Sequence, residues 1–226
     1  MSTAPIPAPP KRKRRWFQFS LRTLLLFVTV FAIWFGTLAK RANDQRNAVR
    51  ELRTSGVEII YEHQLRENAL RDDAPIPGPE WLRRILGDDY FVTAVGGRFA
   101  YPEPNVNGLA AFPHVKVIVI DARCSDDVLG HVGEFNGLEM LFVRGPGVSD
   151  KGLAQLGSFR NLKTLVVYSD GRPTDSGVGA LLRKSPNLNF VNIAGIDAAE
   201  DQLAKLREEF SRIPNLALKA RPVIDN

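Results

Sequence analysis

The residues in this chain that could carry out chemistry are few and widely spaced in sequence. Three histidines (His63, His114, His131) and one cysteine (Cys124) are the natural candidates for metal ligation or nucleophilic attack. None of the histidines stands in a ligand motif such as H-E-x-x-H, and one cysteine makes neither an intramolecular disulfide nor a cysteine metal cluster. Three carboxylate pairs, Asp72-Asp73, Asp88-Asp89 and Asp126-Asp127, invite an acid/base reading. Neighbours in sequence point to opposite faces of a strand, or about 100° apart on a helix, so adjacency does not make a catalytic dyad. Gly96-Gly97 and Gly145-Pro146-Gly147 read as turns and match no phosphate-binding loop. Cys124 is expected at a turn as a small buried apolar residue, since a reactive thiol needs an electropositive, accessible setting. No catalytic, metal or cofactor site is predicted, and no small-molecule substrate.

The elements that would position these residues show a period. HVKVIVID (114–121), GLEMLFVR (137–144), NLKTLVVY (161–168) and NLNFVNIA (187–194) share an L-x-x-L-x-L frame beginning at Val115, Leu138, Leu162 and Leu188, in steps of 23, 24 and 26 residues. A Ser/Thr-Asp pair recurs between them at Ser125-Asp126, Ser149-Asp150 and Thr174-Asp175, each followed by apolar residues at helical spacing. The unit is a short strand, then a helix whose first turn is capped by the Ser, Thr or Asp side chain, then a parallel strand. One unit cannot bury its apolar face alone, whereas a stack shares one core. Val57–Tyr61 is expected to be a strand and Trp81–Leu86 a short helix. Tyr90–Val95 is expected to be a degenerate earlier repeat, with an amphipathic helix over 198–210 and a last edge strand near 216–218. The fold class predicted is α/β, a solenoid of parallel strands alternating with short helices.

These segments resemble leucine-rich repeats, and VSDKGLAQLGSFRNLKTLVV (148–167) is the clearest copy. With WFQFSLRTLLLFVTVFAIWFG near the N-terminus and WLRRILGDDYF (81–91), the chain resembles a group of planctomycete leucine-rich-repeat membrane proteins. The resemblance implies a horseshoe fold and carries no assigned biochemical activity. The Asn or Cys that closes each turn in leucine-rich repeats is not reproduced; Arg123, Pro146, Asp170 and Ile196 stand there, and only Asp170 could imitate it.

Arg22–Ala39 (RTLLLFVTVFAIWFGTLA) is apolar and bracketed by KRKRR (11–15) and Lys40-Arg41, long enough to span most of a hydrocarbon core. It reads as a retained signal-anchor, with Trp16, Phe17 and Phe19 as an interfacial belt. The division expected is a disordered Pro-rich and basic tail (1–20), a transmembrane helix (21–39), a juxtamembrane helix, strand and linker (40–79) and a repeat domain (80–226). The dense basic cluster favours an N-terminus in the cytoplasm and a C-terminal domain outside it, against a second basic group at Lys40, Arg41, Arg46, Arg50 and Arg53 that Asp44 and Glu51 dilute. Residues 1–53 hold eleven basic and two acidic side chains, and the rest nineteen and twenty-three, so the excess positive charge lies beside the membrane. The first partner is therefore membrane lipid, and a nucleic-acid partner is not expected because the folded part is net acidic.

Between core positions, each strand projects residues onto the opposite face. Three columns follow: Val117, Met140, Thr164, Phe190; Val119, Phe142, Val166, Asn192; and Asp121, Arg144, Tyr168, Ala194. Aromatics, Met and Arg are the types enriched at protein interfaces. The expected function is a membrane-anchored, non-enzymatic interaction scaffold. A protein partner would dock on Met140, Phe142, Arg144, Val166, Tyr168 and Phe190. The alternative is a self-associating structural envelope protein without a discrete ligand. A competing account of the columns is that cross-strand pairs merely stabilise the sheet, or that the N-terminal segment folds over them.

Overall fold

The computed structural model describes residues 21–66, 69–71, 73–100, 106–112, 114–121, 124–156, 159–170 and 172–221. The expectations for the tail (1–20), for Trp16, Phe17 and Phe19, and for the turn residue Arg123 lie outside the described residues. The chain divides into two compact units, Met1–Lys40 and Arg41–Asn226.

In the first unit, helix α1 (Leu21–Thr54) begins with the apolar run, and Leu24 to Phe31, Ile33 and Trp34 face outward. It is the one helix among the described residues long and apolar enough to cross a membrane. In the second unit the same helix turns amphipathic, burying Ala42, Val49 and Leu52. The expected boundary at residues 39–40 is thus a change in surroundings and not an interruption of the helix. Two elements read as separate are one, because no Gly or Pro breaks the hydrogen-bond ladder between Thr37 and Thr54.

The second unit is built on seven strands: β1 (Val57–Tyr61), β4 (Ala94–Phe99), β5 (Val117–Ile120), β6 (Met140–Gly145), β7 (Thr164–Ser169), β8 (Phe190–Ile196) and β9 (Asn215–Ala220). They pair in that spatial order in one open sheet. β1 runs antiparallel to β4, and every later pair is parallel. A separate two-stranded ribbon, β2 (Leu65–Arg66) with β3 (Ala69–Leu70), follows β1. Helix α2 (Glu80–Leu86) precedes β4, and α3 (Asp126–Val132), α4 (Asp150–Gln155), α5 (Asp175–Lys184) and α6 (Glu200–Glu209) make the crossovers from β5 to β9. The aliphatic frame of the strands packs with Leu129, Leu153, Leu181 and Leu203 of these helices in one continuous core.

One strand corrects the sequence reading. The strand expected at Tyr90–Val95 is shifted: residues 88–90 form a 3-10 turn, and β4 spans Ala94–Phe99. Gly96-Gly97, read as a turn, lies inside this strand. A Cβ on Gly96 would overlap the Val117 carbonyl oxygen, and one on Gly97 would meet Val57 and Leu109 at 3.0 and 3.2 Å. The pair permits close backbone approach on one side and lets neighbouring side chains fill the core on the other. At the other end Val191 pairs with Leu216 and Ile193 with Leu218, so Ile213, Leu216 and Leu218 continue the frame. The edge strand is a full member of the series.

The recurrent Ser/Thr-Asp-x-Gly phrase has a defined role. The Asp126 carboxylate accepts from the Ser149 backbone N–H at 2.9 Å and from its hydroxyl at 2.6 Å. One unit on, Asp150 accepts from the N–H and hydroxyl of Thr174, both at 2.7 Å. Ser149 and Thr174 in turn cap α4 and α5, accepting from Lys151 and Gly177 N–H. Each carboxylate lies where a side chain on Gly152 or Gly177 would stand. The aspartate therefore serves the next unit's cap, and the glycine leaves room for it. The turns after the strands use Ser169, whose hydroxyl donates to the Val148 carbonyl at 2.8 Å, and backbone bonds such as Asp197 N–H to Pro173 O. Ile196, at one of the substituted turn positions, is instead a buried core residue.

Candidate functional site

The face of the sheet opposite the helices is where the three columns meet. Val117, Met140, Thr164 and Phe190 are in register, as are Val119, Phe142, Val166 and Asn192, and Arg144, Tyr168 and Ala194. The face is not uniformly open. Ile60, Val117, Val119 and Met140 form a second core, packed against Leu65 and Leu70 of the ribbon and against Phe142. Met140 is only 4% exposed. The segment after β1 covers this part of the face, which removes Met140 from the docking surface expected of it. The ribbon is held at its base by a 2.6 Å ion pair between Glu62 and Lys116.

Beyond the ribbon the face opens into a cleft of about 350 Å³, lined by Leu70, Arg98, Val119, Asp121, Phe142, Val143, Arg144, Val166 and Tyr168. The fold thus brings Phe142, Arg144, Val166 and Tyr168 together, while Phe190 stands outside this cleft, half-buried, beside Thr164 and Asn215. Val166 forms floor, at 8% exposure, and Tyr168 forms rim, at 37%. The Arg144 guanidinium lies 5.6 Å from the centre of the Tyr168 ring, a cation–π distance. The Tyr168 hydroxyl accepts from Asn192 Nδ2 at 2.9 Å, which fixes the ring's tilt. At the far wall Arg98 pairs with Glu58 across β4 and β1 at 3.0 Å.

Two of the cleft's residues escaped the sequence reading. Arg98 is in register with Val119, and so heads the second column, but lay hidden because Gly96-Gly97 read as a turn. Leu70 comes from the ribbon, whose only sequence signal is a pair of leucines flanking the polar stretch Arg66–Asn68. The cleft offers aromatic faces, aliphatic floor, two guanidinium groups and the Asp121 carboxylate. That inventory suits recognition by stacking and ion pairing.

The remaining chemistry-bearing residues fall elsewhere. His114 and His131, distant in sequence, line one open cleft of about 730 Å³ with Lys116, Glu134, Phe135 and Asn136. Both are exposed, and His131 Nδ1 is 3.6 Å from a Glu134 oxygen. His63 stacks on Tyr61 with ring centres 6.0 Å apart. Among the described residues no group of three or more His, Cys, Asp or Glu side chains is placed to hold a metal ion. Cys124 is buried in the core as expected of it. Burial, reinforced by the Asp126 charge, pushes its thiol up from 9.0 to about 12, so it stays protonated and unreactive at neutral pH.

Comparison of the sequence with protein-family models and with curated proteins gives no match. The class that the fold defines is an open α/β sheet, mostly parallel, in a chain carrying one N-terminal helix able to span a membrane.

Proposed function

We propose that the chain is a membrane-anchored, non-enzymatic interaction scaffold of leucine-rich-repeat-like build, docking a protein partner over the cleft around Phe142, Arg144, Val166 and Tyr168. The solenoid reading is supported by the repeated register of the parallel strands and by the aspartate rungs that join one unit to the next. The observation that carries the docking reading is the Arg144–Tyr168 pair. An aromatic ring and a guanidinium stand preorganised at the rim of an apolar floor, a composition found at interface hot spots. In this reading α1 is a single-pass anchor with the N-terminus in the cytoplasm and the second unit outside, which a protease-protection assay on tagged cells would test.

Arg144→Glu with Tyr168→Ala is the informative variant, because both side chains are exposed and neither supports the core. Crosslinking in native membranes should lose the partner band while circular dichroism stays unchanged. Retention of every crosslinked species by the variant would refute the docking site. The alternative, a self-associating envelope component, is favoured only if the solubilised chain forms concentration-dependent oligomers that the same double variant leaves intact.

A further inference from the structure

Outside the spanning segment, three large apolar side chains are strongly exposed among the described residues: Tyr168, already placed in the cleft, and Trp81 and Ile85. The last two sit four residues apart on α2, on one face of the helix, and are 64% and 72% exposed. Arg84 lies on the same side and is exposed, in a surface ion pair with Glu80 at 2.5 Å. The helix buries no residue of its own, so this face contributes nothing to the core. A tryptophan and an isoleucine flanked by arginine form a small amphipathic surface of the kind that lies in a headgroup region.

The occupant of this face follows from chain connectivity. Just past α2, Tyr90 receives the Arg46 guanidinium over its ring at 5.5 Å, and the Gln45 side chain bonds both Val92 O and Ala94 N, at 3.1 and 3.2 Å. Gln45 follows Ala39, the last residue of the apolar run, by only six positions, at most about 20 Å of chain. The segment carrying α2 is therefore fastened to the chain a turn or two beyond the spanning stretch. This rests on the proposed anchor: where α1 spans a bilayer, connectivity alone keeps a lipid surface within reach of this segment, and tethering makes even a weak second contact effective.

We propose that α2 is a second membrane contact, with Trp81 and Ile85 inserted at the lipid interface and Arg84 exchanging Glu80 for lipid phosphate. This surface is independent of the protein-docking cleft. The test uses the full chain with Trp16→Phe and Trp34→Phe, leaving Trp81 as the sole tryptophan, in vesicles of phosphatidylcholine with a minority of phosphatidylglycerol. Trp81 emission should be blue-shifted, quenched by lipids carrying a doxyl label near the headgroup, and protected from aqueous iodide. Adding Ile85→Asp should return all three readings toward those of a water-exposed indole, with the circular dichroism spectrum preserved. Water-like emission and full iodide access in the parent chain would overturn the proposal. So would protection from iodide without doxyl quenching, which assigns the face to a protein partner or a second copy.

Discussion

At the scale of single residues, the repeat phrase is a hydrogen-bonding device. Asp150 accepts two bonds from Thr174, and Gly177 stands beneath that carboxylate with no side chain to obstruct it. Asp150→Ala removes a charged acceptor from a part-buried backbone N–H, an expected loss of about 2 kcal/mol. Gly177→Ala alone should also destabilise, by about 1–2 kcal/mol, since its methyl must displace the carboxylate. With Asp150 replaced by Ala, that methyl meets only the Cβ of residue 150, at 3.1 Å, and the helix preference of Ala over Gly, worth up to about 1 kcal/mol, offsets that contact. The cost of Gly177→Ala should therefore be much smaller in the Asp150→Ala background than in the parent chain. Urea denaturation of the four chains in a double-mutant cycle measures this directly, and additive losses would contradict the rung. The phrase itself was visible in the sequence, and the cap was anticipated for Ser149 and Thr174. The aspartate's reach to the following unit was not, because a contact 24 residues away leaves no mark on local spacing.

At the scale of elements, legibility tracked side-chain volume. β5 to β8, four of the strands that show aliphatics at all three frame positions, were placed from spacing alone, in the register the sheet adopts. β4 was displaced because glycine occupies the middle frame position, Gly97, where a neighbouring Leu109 fills the space. The ribbon β2–β3 was missed because two-residue strands carry no period. That omission matters most for the site, since the ribbon decides which of the column residues face solvent. The two glycines of β4 make a test of the packing account. Gly96→Ala drives a methyl into a backbone carbonyl that cannot yield without parting β4 from β5, an expected cost of about 3 kcal/mol. Gly97→Ala meets side-chain ends, those of Val57, Leu109 and Phe99, which can shift by a few tenths of an ångström without parting the strands, so its cost should be about 1 kcal/mol. Equal denaturant midpoints for the two variants would mean that the β4–β5 approach is not as close as described.

At the scale of the whole molecule, an open parallel sheet must end somewhere, and its last strand presents unpaired backbone to solvent. Such an edge invites a further strand from another chain. Among the described residues β9 is that edge, and it is guarded. The Arg207 guanidinium donates to the Leu218 carbonyl at 2.6 Å and is held by Glu200 at 2.6 Å, while Lys219 projects an exposed charge from the strand. Arg207 thus joins α6 to β9 and occupies a main-chain acceptor that an incoming strand would need. If this guard keeps the stack from growing, the detergent-solubilised full chain should sediment as a monomer over a wide concentration range. Arg207→Ala should then shift it toward concentration-dependent dimers, and Arg207→Lys, which can still donate to the carbonyl, should restore most of the monomer. The opposite pattern carries as much information. A wild-type chain that already associates, and whose association is unchanged by Arg207→Ala, would place the contact away from β9. It would also shift the balance from a scaffold with a discrete partner toward a self-assembling envelope component.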